Sequence, residues 1–224
     1  MTGILAVWND RADEIAADYE RWYQTDHVPE RLAVPGFRSA RRYEATDGDR
    51  AFFTFYEMDG AAVLKSPAYT ACLSSPSEMT RTIMPRFLGM IRSVFEEDAQ
   101  PGGAGTEIVG GAAVVLRFHG TTPGRLPAID GAGLNPAEIL RIRLWRAAPS
   151  QDAPPDTTES RIRPGRDEAA RGAIVVETMR VETAERLRRV LGALPEAAGA
   201  SIGCFRLLCA FRNPDRETGT PMPR

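Results

Sequence analysis

Two histidines and three cysteines are all that this chain of 224 residues offers to most metal and thiol chemistry. Neither H-E-x-x-H nor a pair of C-x-x-C motifs occurs, so no metal site is expected. Cys204 and Cys209 are five apart on one expected strand and so face opposite ways, which disfavours a disulfide or a shared metal. Long apolar runs are missing as well: no stretch reaches the roughly 18 residues of a membrane span. Nor does charge of one sign prevail. Against 30 Asp+Glu stand 28 Lys+Arg, a net charge of −2, and no long basic run forms the footprint that nucleic acid would need. The opening MTGILAVWNDRADE turns acidic straight after its apolar run, so it does not read as a secretory signal. With no obvious cysteine pairing, a reducing compartment follows, and the cytoplasm is the expected location.

What is present is enough apolar material, 43% of residues, for an ordinary core. A chain of roughly 150 to 300 residues buries about 70% or more of its unfolded surface. The chain also resembles itself. Arg50 to Met58 (RAFFTFYEM) aligns with Arg171 to Met179 (RGAIVVETM), and Leu88 to Phe95 (LGMIRSVF) aligns with Ile202 to Cys209 (IGCFRLLC). Strands are expected at Gly3–Trp8, Phe37–Ala45, Arg50–Met58, Phe87–Phe95, Ala112–Phe118, Glu138–Ala147, Gly172–Met179 and Ser201–Phe211. The turn at Asp47-Gly48 reads as a hairpin in which glycine supplies a positive φ. Ala12 to His27 places Ile15, Tyr19, Trp22 and Tyr23 on one helical stripe, and Ala184, Leu187, Leu191 and Leu194 form another.

The expected fold class is therefore α+β: two tandem ferredoxin-like βαββαβ repeats forming a pseudo-dimeric α+β barrel. Residues 1–98 make the first repeat, 99–110 a linker, 111–212 a degenerate second repeat and 213–224 a disordered tail. The second repeat has TTPGRLPAIDGAGLNP where the first has a helix, and those glycines and prolines predict that this helix is lost. It also carries the polar excursion PSQDAPPDTTESRIRPGRDEAA, expected to be a mobile loop or lid.

With so few histidines, the search for an acid or base is short. His27 shares a helical face with Tyr19 and Tyr23, and Pro29 predicts that the helix ends there. A helix C-terminus, together with Asp26 or Glu30, would favour the imidazolium and let His27 alternate between base and acid. The plain alternative is a surface histidine at a helix end.

The run YERWYQTDHVPERLAVPGFRSARRYEA resembles EthD-like proteins of the dimeric α+β barrel superfamily: an aromatic pair, a histidine, a proline two residues later, then a Pro-Gly turn into a strand. The resemblance implies a barrel, here fused in tandem, and one site per chain in a cleft between helix and sheet. It places the family histidine at His27 and the aromatic pair at Trp22 and Tyr23. Members include cofactor-free isomerases, lyases, cyclases and monooxygenases acting on small aromatic or lactone-like molecules, and a haem-binding branch. Expected pocket members around His27 are Tyr19, Tyr23, Asp26, Arg42, Tyr43, Asn9 and Asn9's repeat counterpart His119. Arg41 and Arg42 should point to opposite faces of their strand, with Arg41 solvated. Trp8, Phe53, Phe55 and Phe118 read as core. Gly199-Ala200-Ser201-Ile202-Gly203 matches G-x-S-x-G, but it lies between a helix and a strand, the reverse of a nucleophile elbow.

The leading expectation is a cofactor-free lyase, isomerase or cyclase for a small carbonyl compound. His27 would move a proton, Tyr23 or Arg42 would hold the oxyanion, and Asp26 would orient the imidazole. The alternatives are haem binding through His27 or His119, and a non-catalytic binding module. The partner is a small molecule, with neither nucleic acid nor membrane, and the chain is a monomeric pseudo-dimer or a homodimer.

Overall fold

The computed structural model describes residues 1–97, 108–120, 136–149, 156–164 and 168–213. Residues 99–107 of the expected linker, the expected tail beyond Asn213 and the expected loss of a helix over 121–135 lie outside these residues. All eight strands form where the β-branched and aromatic runs place them, with ends moved by three residues at most: β1 (Thr2–Arg11), β2 (Phe37–Asp47), β3 (Phe52–Met58), β4 (Phe87–Glu97), β5 (Ala112–Phe118), β6 (Ile139–Ala147), β7 (Gly172–Thr178) and β8 (Ala200–Arg212). They close into one antiparallel barrel in the order β1-β3-β2-β8-β5-β7-β6-β4. One half reads β4-β1-β3-β2 and the other β8-β5-β7-β6. Broad pairing of β2 with β8 joins the halves on one side, and a short pairing of β4 with β6, from Phe95↔Ala147 to Glu97↔Trp145, joins them on the other.

Helices cover the outside of the first half: α1 (Ala16–Trp22), α2 (Val28–Leu32), α3 (Pro67–Ser74) and α4 (Glu78–Ile83). The amphipathic α6 (Val181–Gly192) covers the second, with Ala184, Leu187 and Leu191 buried as their spacing requires. Because helices lie outside and side chains fill the lumen, strands β3, β5 and β7 are buried on both faces, which explains their near-continuous apolar runs. Trp8 stacks on Phe53 at 4.9 Å in the lumen, with Phe55, Phe95, Trp145 and Phe205 around them.

Two expectations are corrected at this level. Gly48 does not have a positive φ; the β2–β3 connection is wider and closes with the Ala45 N–H on the Ala51 carbonyl. Positive φ falls instead at Gly36, Gly89 and Gly199, and at Gly36, with φ 99°, it makes the Pro-Gly turn that launches β2. Arg41 is not solvated. Alternation does send Arg41 and Arg42 opposite ways, but a closed barrel offers no solvent face at mid-strand, and Arg41 points into the lumen, 2.7 Å from Glu177.

That pair belongs to a buried ionic network at one end of the lumen. Arg143 reaches Glu97 at 2.5 Å, Glu57 at 2.5 Å and Glu177 at 3.5 Å. Ser39 donates to Glu57, and the Trp145 indole N–H donates to Glu97.

Candidate active site

The connection from β1 to β2 carries the candidate residues, and it does not end at His27 as expected. After α1 the backbone widens into a single π turn, Tyr23–His27, in which the Val28 N–H donates to the Tyr23 carbonyl. The helix then resumes as α2. Pro29 does not terminate it: Tyr23, His27 and Val28 keep αR dihedrals, and the widened turn falls where the proline has no N–H to donate. π turns of this kind recur at functional sites.

His27 is buried, not a surface residue. Its ring lies 4.2 Å from the Trp22 ring and 5.4 Å from that of Tyr23, centre to centre, with Tyr56 at 6.4 Å. Trp22 is itself fixed by its indole N–H, which donates to Thr80 Oγ1 at 2.9 Å. The predicted bias toward imidazolium is reversed. Burial first, and then the positive charges of Arg31, Arg42 and Arg163, hold His27 well below its ordinary pKa, so the ring is neutral at physiological pH.

Beside His27 lies a cavity of about 30 Å³, lined by Tyr23, Tyr56, Tyr69, Arg31 and Glu159, with Met84 and Phe87 on its apolar wall. That is room for about two water molecules. His27 Nδ1 and the Tyr56 hydroxyl are both buried with no hydrogen-bond partner among the described residues. Burial, and then the neighbouring Tyr23, push the Tyr56 phenol well above its usual pKa, so it stays a proton donor.

The cavity is closed from the far half of the chain. Residues 156–164 belong to the polar excursion expected to be mobile, yet they form a short helix, α5 (Thr158–Ile162), capped by Thr157 and packed over the first half. Glu159 is buried against the Arg31 guanidinium, and Thr158 Oγ1 donates to the Ser74 carbonyl at 2.9 Å. Residues 150–155 and 165–167 of the excursion lie outside the described set.

The structure brings together only part of the expected site. His27 and Tyr23 share the cavity. Trp22 seats His27 from behind. Tyr19 lies further along the same face, its hydroxyl accepting from Asn9 Nδ2 at 2.9 Å, so Asn9 anchors α1 to β1 and does not line the cavity. Arg42 is withdrawn from the oxyanion role: its guanidinium lies 3.9 Å from the Tyr23 ring centre and is held by Glu20 at 2.8 Å, behind the tyrosine. Asp26 does not orient His27, since adjacent helical residues do not face each other. Its carboxylate accepts from Ser77 Oγ at 2.7 Å. Tyr43 is in the lumen, on the other face of β2. His119, just after β5, is exposed and does not line this cavity.

Sequence reasoning missed Tyr56, Arg31, Tyr69 and Glu159. Arg31 carried a usable signal, because it stands four residues after His27 and so on the same helical face. Glu159 carried only the Thr157 cap.

The neutral imidazole makes stability depend on pH in a stated direction. A histidine whose folded pKa lies below its unfolded value of about 6.5 favours folding fully above that pH, and the advantage is lost at about 1.4 kcal/mol per unit as pH falls further. Glu30 works against this. Burial, and then the hydrogen bond and charge of Asp26, raise its carboxyl to about 7, so its contribution is present at low pH and is lost as pH rises from its ordinary 4.5 to about 7. We therefore expect the stability advantage of wild type over His27→Gln, measured by urea unfolding from pH 5 to 8, to shrink below about pH 6.5. Parallel curves would show that His27 is not held neutral.

No family model matches the chain, and no curated protein matches it. Solved structures do. An anthrone oxidase-like protein superposes with a TM-score of 0.54 at 10% identity, covering 98% of this chain and 96% of its own. The chlorite dismutase-like protein TA0507 gives 0.51 at 13% identity, over 93% and 95%. The chain has the dimeric α+β barrel fold. A third structure, described as a novel heme-binding protein from Thermus thermophilus, superposes at 0.44 with 11% identity over 93% and 91%.

A haem group needs a wide slot on one side of its ligand. The space beside His27 is about 30 Å³ and is enclosed by Tyr23, Tyr56, Tyr69 and Glu159 of α5, so the residues at His27 do not fit a porphyrin in this arrangement. Among the described residues, no three His, Cys, Asp or Glu side chains gather as a metal site, and no helix is long and apolar enough to cross a membrane.

Proposed function

We propose that the chain is a cofactor-independent enzyme that moves a proton at a carbon beside the carbonyl of a small aromatic or lactone-type compound, in the lyase, isomerase or cyclase classes. The observation that carries this reading is His27: its Nδ1 is buried, neutral and without a hydrogen-bond partner among the described residues, and it lines the same cavity as Tyr56, whose hydroxyl is likewise without one. In the Nε2–H tautomer, Nδ1 offers its lone pair. It takes the proton from the carbon, the C–H electron pair moves into the new C=C bond, and the carbonyl π pair moves to oxygen as an enolate. The Tyr56 O–H, on the cavity wall, is the donor for that oxyanion. Returning the proton from the imidazolium to a different carbon, or expelling a β leaving group, completes an isomerisation or a lyase step.

The likeness of YERWYQTDHVPERL to EthD-like sequences supports this reading, and so does the fold shared with an anthrone oxidase-like protein. The same strand order in the two halves supports a tandem duplication. The test is hydrogen–deuterium exchange in D₂O, followed by ¹H NMR, on a panel of small aryl ketones and lactones. Exchange that requires His27 supports the proposal; exchange unchanged in His27→Gln overturns it.

Haem is the rival reading that the resemblance brings. One equivalent of hemin is expected to give no Soret band that depends on His27. A sharp band lost in His27→Gln would replace the acid–base mechanism, and a band lost only in His119→Ala would move the cofactor to the second half.

A further inference from the structure

Glu159 reaches the cavity from a point 128 residues along the chain from Arg31, and it places a carboxylate on a guanidinium that is itself only 2% exposed. Burying two charges is costly, and a pair of apolar residues of the same volume would often serve stability as well. The setting of the pair is also lopsided in charge. Arg31, Arg92 and Arg163 all line the cavity, and Glu159 is the one carboxylate among its lining residues. Most of the remaining wall is apolar or aromatic, with Tyr56, Tyr69, Phe87, Met84 and Met90 beside Leu5 and Val7. Arginine's planar fork matches a carboxylate better than any other common anion in the cell except phosphate.

Building on the proposed function of this cavity, we infer that Arg31 is the anchor for a carboxylate carried by an aromatic substrate, and that Glu159 occupies the anchor when the substrate is absent. Incoming carboxylate and Glu159 then compete for one guanidinium. The exchange conserves the ion pair, so displacing α5 costs its remaining ties, chiefly Thr158 to Ser74 and the apolar packing of Ile162. With Glu159 displaced, the charged residues that the first half leaves on the cavity wall, Arg31 and Arg92, are both positive, and the rings of Tyr56, Tyr69 and Phe87 flank them. The ligand is thus oriented with its carboxylate at Arg31 and its ring toward His27, four residues earlier on the same helical face.

The test is calorimetric titration of the full chain with benzoate and, as the neutral isostere, benzamide. Glu159→Gln is expected to bind benzoate roughly tenfold or more tightly than wild type, within the usual range of coupling between competing contacts. Benzamide binding should not change between the two. Arg31→Met alone strands a buried carboxylate, so the variant used is R31M/E159Q, which removes both charges and is expected to lose benzoate binding. The inference fails if Glu159→Gln gains nothing, if benzamide gains equally, or if the double variant keeps benzoate. These failures are separable from failure of the acid–base reading. Benzoate competition together with exchange that ignores His27 leaves the anchor standing and removes the base. His27-dependent exchange with no benzoate gain does the opposite.

Discussion

His27→Gln is expected to slow proton exchange by about 10²- to 10⁴-fold, the usual worth of a positioned general base. Glutamine keeps most of the ring's volume against Trp22, so the substitution removes a lone pair of suitable basicity without opening a large hole under a fully buried indole. Since burial and three arginines keep the imidazole neutral, the wild-type rate should show no protonation limb near pH 6.5. Tyr56→Phe gives the companion result. Its hydroxyl has no partner among the described residues, so deleting it orphans nothing and should barely move the unfolding midpoint. Yet it removes an oxyanion donor, and such donors are typically worth about 10²-fold or more in rate. If His27→Gln stayed within threefold of wild type, the base would have to be sought elsewhere.

The second large effect concerns stability. Arg143→Met should lower the unfolding free energy by about 3 to 5 kcal/mol, because it leaves buried carboxylates without their countercharge. Glu177 and Glu57 would then be left with Arg41, and Glu97 with the half-buried Arg141 at 3.5 Å. Burial alone would raise the Glu57 carboxyl; Arg143 and Arg41, with the Ser39 hydroxyl, overcome this and hold it at about 2. A carboxylate with a depressed folded pKa stabilises above its unfolded value of about 4.5 and loses that contribution as pH falls toward 2. The gap between wild type and Arg143→Met should therefore be widest near neutrality and narrow below about pH 4.5. Urea unfolding followed by tryptophan fluorescence reads it, since Trp8 and Trp145 both sit in the lumen. A loss under about 1 kcal/mol would mean that the network is no better than a surface pair.

How far the sequence reached, and where it stopped, follows from what each residue's partners are. Strands were legible because β-branched and aromatic runs answer to local backbone and to burial on both faces. His27, Trp22 and Tyr23 were legible because helical spacing gathers them. Arg41 and Arg42 were half legible. Alternation separates them correctly, but the partner of one is Glu177, 136 residues away, and that of the other is Glu20 on a helix above the sheet. Nothing near either arginine announces its partner. Asp26 and Glu159 fail for the same reason in opposite senses: one is adjacent to His27 in the chain and turned away from it, the other is remote and meets its helix. Pro29 misled because its position relative to the π turn, rather than its identity, decides whether a helix stops.

The barrel's closure within a single chain has a further consequence. A barrel made by two separate subunits exists only above their dissociation constant, so its cavity is at the mercy of dilution. Here β2–β8 and β4–β6 join strands of one molecule, and closure is a unimolecular equilibrium, independent of how much protein is present. Freed from self-complementarity, the halves need not match, and one can reach across with α5 to complete the other.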